Sequence, residues 1–184
     1  MSTALIIIDV QNDYFPNGSF ELVQAEQALA ATQKLLAHFR AKNLPVYFVQ
    51  HIATPTATFF RPNSEGVQIH SAIVPLPHEH IVRKHAPNSF YNTDLQTELQ
   101  KISAQELIIC GMMTHMCVDT TVRAAKDLGY TITLISDACA TKDLEWSGSI
   151  IAASTVQSVY LASLNGAFAN ILSSTDYLAQ LANT

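Results

Sequence analysis

Short, continuously apolar runs alternate along the chain with segments whose apolar residues recur at helical spacing. ALIIID (4–9) is apolar until its closing carboxylate and reads as a strand buried on both faces. Residues 25–43 predict a helix, with Leu29, Leu35, Leu36 and Phe39 on one side and Asn43 and Pro45 to stop it. PVYFVQ (45–50), HIVRK (80–84), ELIIC (106–110) and TITLIS (131–136) predict four further strands, and AFANIL (167–172) a sixth. Between them the pattern predicts one or two short helices over 87–100 and a helix over 115–128 ended by Gly129. A long helix over 142–164, capped by Thr141, and a short terminal helix complete the set. Residues 51–79 hold Pro55, Pro62, Pro75 and Pro77 with little periodicity, a long irregular excursion of the kind that usually carries function.

Strands alternating with helices predict βαβ units and a parallel sheet, an α/β fold. At roughly 150 residues per domain, the 184 residues form a single expected domain, 1–184, able to bury a core without disulfides. Only 14% of residues are charged, low enough to favour a homodimer or homotetramer that hides apolar surface. A net charge of −5 and the absence of any Lys/Arg run exclude nucleic acid and anionic membrane as partners. No apolar run approaches the roughly 20 residues of a membrane span, and Asp9 interrupts the first one, so neither a membrane segment nor a signal peptide is expected. Cys110, Cys117 and Cys139 match no zinc or CxxC spacing, and reduced thiols in a cytoplasmic protein fit best.

Ligands of open parallel sheets bind beyond the carboxyl ends of the strands, near the point where strand order reverses. The strands deliver Asp9, Lys84 and, through Gly111 and Thr114, Cys117 to that edge. With Thr114 as N-cap, Cys117 falls in the first helical turn, where the helix dipole favours the thiolate and free N–H groups can hold an oxyanion. An inert buried cysteine suits the position equally well. Asp9 is either the base for that thiol or a cap for the polar turn after it, and Lys84 either a partner for both or a solvated strand end. Cys110 and Cys139 read as core.

IIIDVQNDYF (6–15), RKHAPNSFYNTDL (83–95), CGMMTHMCVDTTVRAAKDLGY (110–130) and LISDACAT (134–141) together resemble the isochorismatase-like cysteine hydrolases. That superfamily includes nicotinamidases, N-carbamoylsarcosine amidohydrolases and isochorismatases, and the likeness runs from about residue 3 to 172. It implies a Rossmann-like three-layer α/β/α sandwich whose six parallel strands follow the order 3-2-1-4-5-6. It further implies Asp9, Lys84 and Cys117 as a catalytic triad, a cis peptide at Met112–Met113, and an oxyanion hole formed by the backbone N–H groups of Met113 and Cys117.

The activity this implies is cysteine-dependent hydrolysis of a small amide, ureide or related C–N bond. Vinyl-ether hydrolysis of the isochorismatase type is the enzymatic alternative, and a non-catalytic small-ligand-binding α/β domain the other. A receiver-type signalling domain would need clustered carboxylates beside Asp9, and no GxGxxG or GxxxxGK[ST] supports a nucleotide site. Phe15, Phe90, Tyr91, His51 and His115 are the expected substrate contacts. Neither metal nor cofactor is expected: the nicotinamidase Asp-x-His pair falls on Gln50-His51-Ile52, which has no carboxylate, and His78-Glu79-His80 reads as a solvated turn.

Overall fold

The computed structural model describes residues 2–182. Along the chain it runs β1 (Ser2–Ile8), α1 (Ala25–Ala41), β2 (Val46–His51), β3 (His80–Lys84), α2 (Leu95–Lys101) and β4 (Ala104–Met112). Then come α3 (Asp119–Asp127), β5 (Thr131–Ala140), β6 (Leu144–Trp146), β7 (Ser149–Ile151), α4 (Ala153–Leu164), β8 (Asn170–Leu172) and α5 (Ser174–Ala182). Six strands pair in parallel in the order β3-β2-β1-β4-β5-β8, the expected order with β8 as sixth strand. Sequence order reverses between β1 and β4.

Side-chain alternation along the strands builds a core on each face. Leu5 and Ile7 of β1 pack with α1 and α5, together with Phe48, Ile108 and Ile135. Ala4, Ile6 and Ile8 pack with α2, α3 and α4, together with Val49, Ile109 and Leu134. Both faces of β1 are therefore dry, which is why its sequence is continuously apolar. Burying each isoleucine contributes about 2 kcal/mol.

Two expectations fail between β5 and α4. The helix predicted for 142–164 begins only at Ala153, and 144–151 is an antiparallel hairpin of β6 and β7. Its turn residues Ser147 and Gly148 have φ of 50° and 76°. Positive φ at both central positions matches the right-handed twist of a two-residue hairpin. Thr141 is not a helix cap: its backbone bridges to Val23, and the α4 N-terminus is held instead by Asp143, whose carboxylate accepts from the Ala153 N–H at 2.7 Å. Trp146 stands 75% exposed on the hairpin. β5 also runs past its predicted end to Ala140, after a register shift opposite Ile109 and Gly111 of β4.

At the reversal, β4 closes on β1 through Gly111, whose φ is +126°. A Cβ there would lie 2.0 Å from the Ile8 carbonyl oxygen, a backbone atom that cannot move without parting the two central strands. Gly111→Ala combines left-handed strain with overpacking, at a cost of about 3 kcal/mol. A fall of about 10 °C in melting temperature is expected. An unshifted melting curve would show that β1 and β4 do not need this close approach.

Candidate active site

β1 ends in a buried carboxylate because Asp9 leaves the sheet at φ 51°, a conformation Asp tolerates better than most residues. Its N–H still donates to Val49, so the side chain stays anchored at the strand end. Lys84 ends β3 directly opposite His51 of β2. Two strand spacings, about 10 Å, separate β3 from β1. The lysine stem and the Asp9 side chain reach toward each other across β2, and the ammonium comes 2.7 Å from Asp9 Oδ2. The same Nζ lies 3.2 Å from Cys117 Sγ, 3.0 Å from His51 Nδ1 and 3.1 Å from the Ala86 carbonyl. Asp9 and Lys84 are wholly buried, whereas Cys117 keeps 5% exposure and is the member that meets the outside. The partners of the Asp9 carboxylate are the Lys84 ammonium and the Cys117 thiol.

Cys117 lies in a π-helical turn, Thr114–Val118, that precedes α3. Thr114 does not cap it: its hydroxyl lies 2.6 Å from Gln157 Oε1 and 3.2 Å from the Ala140 carbonyl, tying the turn to α4 and β5. The expected depression of the thiol pKa is also overturned. Burial first, and the Asp9 charge second, push the Cys117 thiol up, while Lys84 pulls it down. A helix terminus contributes only about 0.3–1 kcal/mol, less than the cost of desolvating a charge. Lys84 stays charged: burial opposes its ammonium, but Asp9 and Cys117 outweigh burial and raise it above the ordinary lysine value. The Met112–Met113 peptide is cis.

The expected substrate contacts separate. His51 reaches Lys84, and His115 bonds Thr141 through Nδ1 at 2.5 Å. Phe15 is core packing, its ring 4.3 Å from that of His70, and Phe90 stacks on Tyr130 at 6.1 Å. Tyr91 is 61% exposed. The aromatic groups beside the triad are others. Tyr14 is buried, and after burial itself Asp9 and Cys117 push its hydroxyl pKa upward. Its ring packs 4.6 Å from Phe60, which in turn lies 6.0 Å from His51. Asp13 docks the 51–79 excursion here: its carboxylate accepts from the Phe60 N–H at 2.6 Å and the Ser19 N–H at 3.0 Å. The adjacent aromatics Phe59 and Phe60, in a loop otherwise rich in proline, are the sequence signal for this packing.

Ligand atoms of Asp9, His51 and Cys117 come within 4.8 Å of one another, close enough to hold a metal ion. Each of these residues has an atom within 3.2 Å of the Lys84 ammonium, so a metal there would compete with a fixed cation. His80, Asp94 and Glu98 form a second such group. It is already paired, His80 with Asp94 at 2.9 Å and Lys101 with Glu98 at 2.5 Å. His78-Glu79-His80 is more than a solvated turn, since Glu79 forms a two-pronged pair with Arg40 and His80 opens β3. A cavity of about 590 Å³ lined by Tyr47, His80 and Glu98 lies at the opposite end of the sheet and includes none of the triad.

His51, His70 and His115 are all held below the ordinary histidine pKa, by burial first in each case. The unfolded chain binds these protons near 6.5. Between that value and the lower folded values the unfolded state holds more protons, so stability rises with pH. The melting temperature is expected to be full above about pH 7 and to fall progressively toward pH 5. A melting temperature constant over that window would contradict the burial of these rings.

The Isochorismatase domain family matches residues 3–166. The chain belongs to the isochorismatase family. This family member is 48% identical over 179 residues to the isochorismatase family protein YddQ of Bacillus subtilis, covering 97% of this chain and 99% of YddQ. It is 30% identical over 152 residues to Nicotinamidase 3 of Arabidopsis thaliana, covering 75% of this chain and 73% of that protein. The crystal structure of a cysteine hydrolase from Pseudomonas syringae superposes with a TM-score of 0.92 at 25% identity, covering 98% of this chain and 92% of the other. Among the described residues no helix of this isochorismatase-family hydrolase is long and apolar enough to cross a membrane.

Proposed function

We propose that this protein hydrolyses a small amide, ureide or related C–N bond through a covalent acyl-enzyme on Cys117. The observation that carries the reading is the Lys84 ammonium poised 2.7 Å from Asp9 and 3.2 Å from the Cys117 sulfur. A buried carboxylate whose partners are the Lys84 ammonium and the Cys117 thiol is placed to take the proton of that nearly sealed thiol.

Asp9 takes the Cys117 proton as the sulfur attacks the carbonyl carbon. The backbone N–H groups of Met113 and Cys117 hold the oxyanion, aimed where charge develops. The C–N bond breaks, the amine departs with the proton from Asp9, and an S-acyl intermediate remains. Asp9 then removes a proton from water, whose attack releases the acid and restores the thiol. Lys84 keeps positive charge beside whichever of Asp9 or Cys117 is anionic. Likeness to a nicotinamidase and to a cysteine hydrolase supports the same chemistry.

A panel of small amides and ureides, with isochorismate included, tests this reading, with mass spectrometry following Cys117. Turnover of a C–N substrate with a transient acyl adduct on Cys117 is expected. Isochorismate turnover without an adduct would shift the assignment to vinyl-ether hydrolysis. Silence across the panel would overturn the proposal.

A further inference from the structure

The Lys84 ammonium has three hydrogens and four acceptors within 3.2 Å: Asp9 Oδ2, His51 Nδ1, the Ala86 carbonyl and Cys117 Sγ. An ammonium offers no lone pair, so at the His51 contact the ring nitrogen must accept, which puts the His51 proton on Nε2. We infer that His51, in its neutral form, is a positioning residue for Lys84. With the Ala86 carbonyl it occupies two ammonium hydrogens and leaves the third to pass from Asp9 to the Cys117 sulfur as the thiolate forms. This rests on the triad chemistry proposed above. The exchange balances: the thiol proton moves to Asp9, the negative charge moves to sulfur, and one Lys84 N–H follows that charge.

Three observations place His51 for this work. Gln11, itself fully buried, clamps the His51 backbone from both sides, its Oε1 accepting from the His51 N–H at 2.8 Å and its Nε2 donating to the His51 carbonyl at 2.9 Å. β2 lies between β1 and β3, with His51 paired in register to Lys84 and its Nδ1 3.0 Å from the ammonium. The groups facing it are Lys84 and His85 at the end of β3, Asp9 after β1, Cys117 in the turn after β4, and the Phe60 ring. Burial first, then the Lys84 charge, hold the imidazole below its ordinary pKa, with His85 acting in the same direction and Asp9 against. The lone pair on Nδ1 is thus available at neutral pH.

Alkylation of Cys117 by iodoacetamide reads thiolate formation without any substrate, and mass spectrometry separates Cys117 from Cys110 and Cys139. The pH profile of this rate is compared in the native protein and in His51→Leu, His51→Asn and His51→Gln. His51→Leu removes the acceptor, and its profile is expected to shift upward by about one pH unit, an approximately tenfold slower reaction at neutral pH. His51→Asn returns an oxygen close to the Nδ1 position and is expected to recover most of that loss, while His51→Gln, whose oxygen reaches further, recovers little. A native profile in His51→Leu, or equal behaviour of the Asn and Gln variants, would overturn the inference. Comparison of the Asn and Gln variants decides the matter alone if His51→Leu does not fold. Native protein that turns over no amide would sink the hydrolase reading and leave this measurement intact. Native turnover with unshifted profiles would sink the His51 role alone.

Discussion

Cys117→Ala is expected to abolish C–N bond hydrolysis, by at least about 10⁴-fold, while leaving the fold in place. Residues that act as one catalytic unit lose nearly all their rate when any member is removed. The structural cost is small, since the change deletes one sulfur at a position still 5% exposed, worth about 1 kcal/mol. Cys110→Ala and Cys139→Ala supply the contrast. Burial pushes the Cys110 thiol up to about 12, Thr32 being its hydrogen-bond partner at 3.9 Å, and Cys139 is raised by burial too. Neither belongs to the triad, so each variant is expected to lose stability and keep kcat. Initial rates on the best substrate of the panel, with circular dichroism melting curves, separate the outcomes. Turnover surviving in Cys117→Ala would remove the nucleophile from the mechanism, and equal loss in all three variants would point to general destabilisation.

The parts of this site that were legible in the sequence are those fixed by strand ends. Ala4–Ile8 can be nothing but a strand covered on both faces, and its first polar residue, Asp9, then has only one place to go. Lys84 follows from the same logic on β3, whereas Cys117, in the turn after β4, is singled out from an inert buried cysteine only by the resemblance. What the chain pattern hid depends on contacts distant in sequence. Tyr14 packs against Phe60 beside the triad because Asp13, one position earlier, holds Phe60 from 47 residues away. Gly66 permits this, since a Cβ there would lie 2.1 Å from the Asp13 carboxylate. No local periodicity reports such a docking. His51 reads from the sequence as a substrate contact, because its lone pair toward Lys84 depends on the order of three strands. The depressed thiol pKa was misread for another reason: a helix-end argument ignores how deeply the turn is buried. The β6–β7 hairpin, by contrast, carried a readable signal in Ser147-Gly148 between LEW and SII, which the helical reading of 142–164 overrode.

The second large effect concerns the Asp9–Lys84 pair, and it is asymmetric. Lys84→Met leaves a wholly buried carboxylate without its cation, and also strips that cation from His51, Ala86 and Cys117. Removing one partner of a buried pair costs about 3–5 kcal/mol. Asp9→Asn is expected to cost less, because the ammonium keeps the Ala86 carbonyl and His51 Nδ1 as acceptors. Asp9→Asn/Lys84→Met removes both charges, so its loss should fall short of the summed single losses by about 2 kcal/mol or more. Urea unfolding with unchanged m-values measures all four corners of the cycle. Additivity within about 0.5 kcal/mol would mean the two groups do not sense each other. The catalytic readout should move the opposite way: the double variant regains stability and no turnover, because neither the base nor the cation that follows the sulfur's charge is restored. Stability and activity then part company at one pair of side chains, as expected where a buried charge is kept for chemistry.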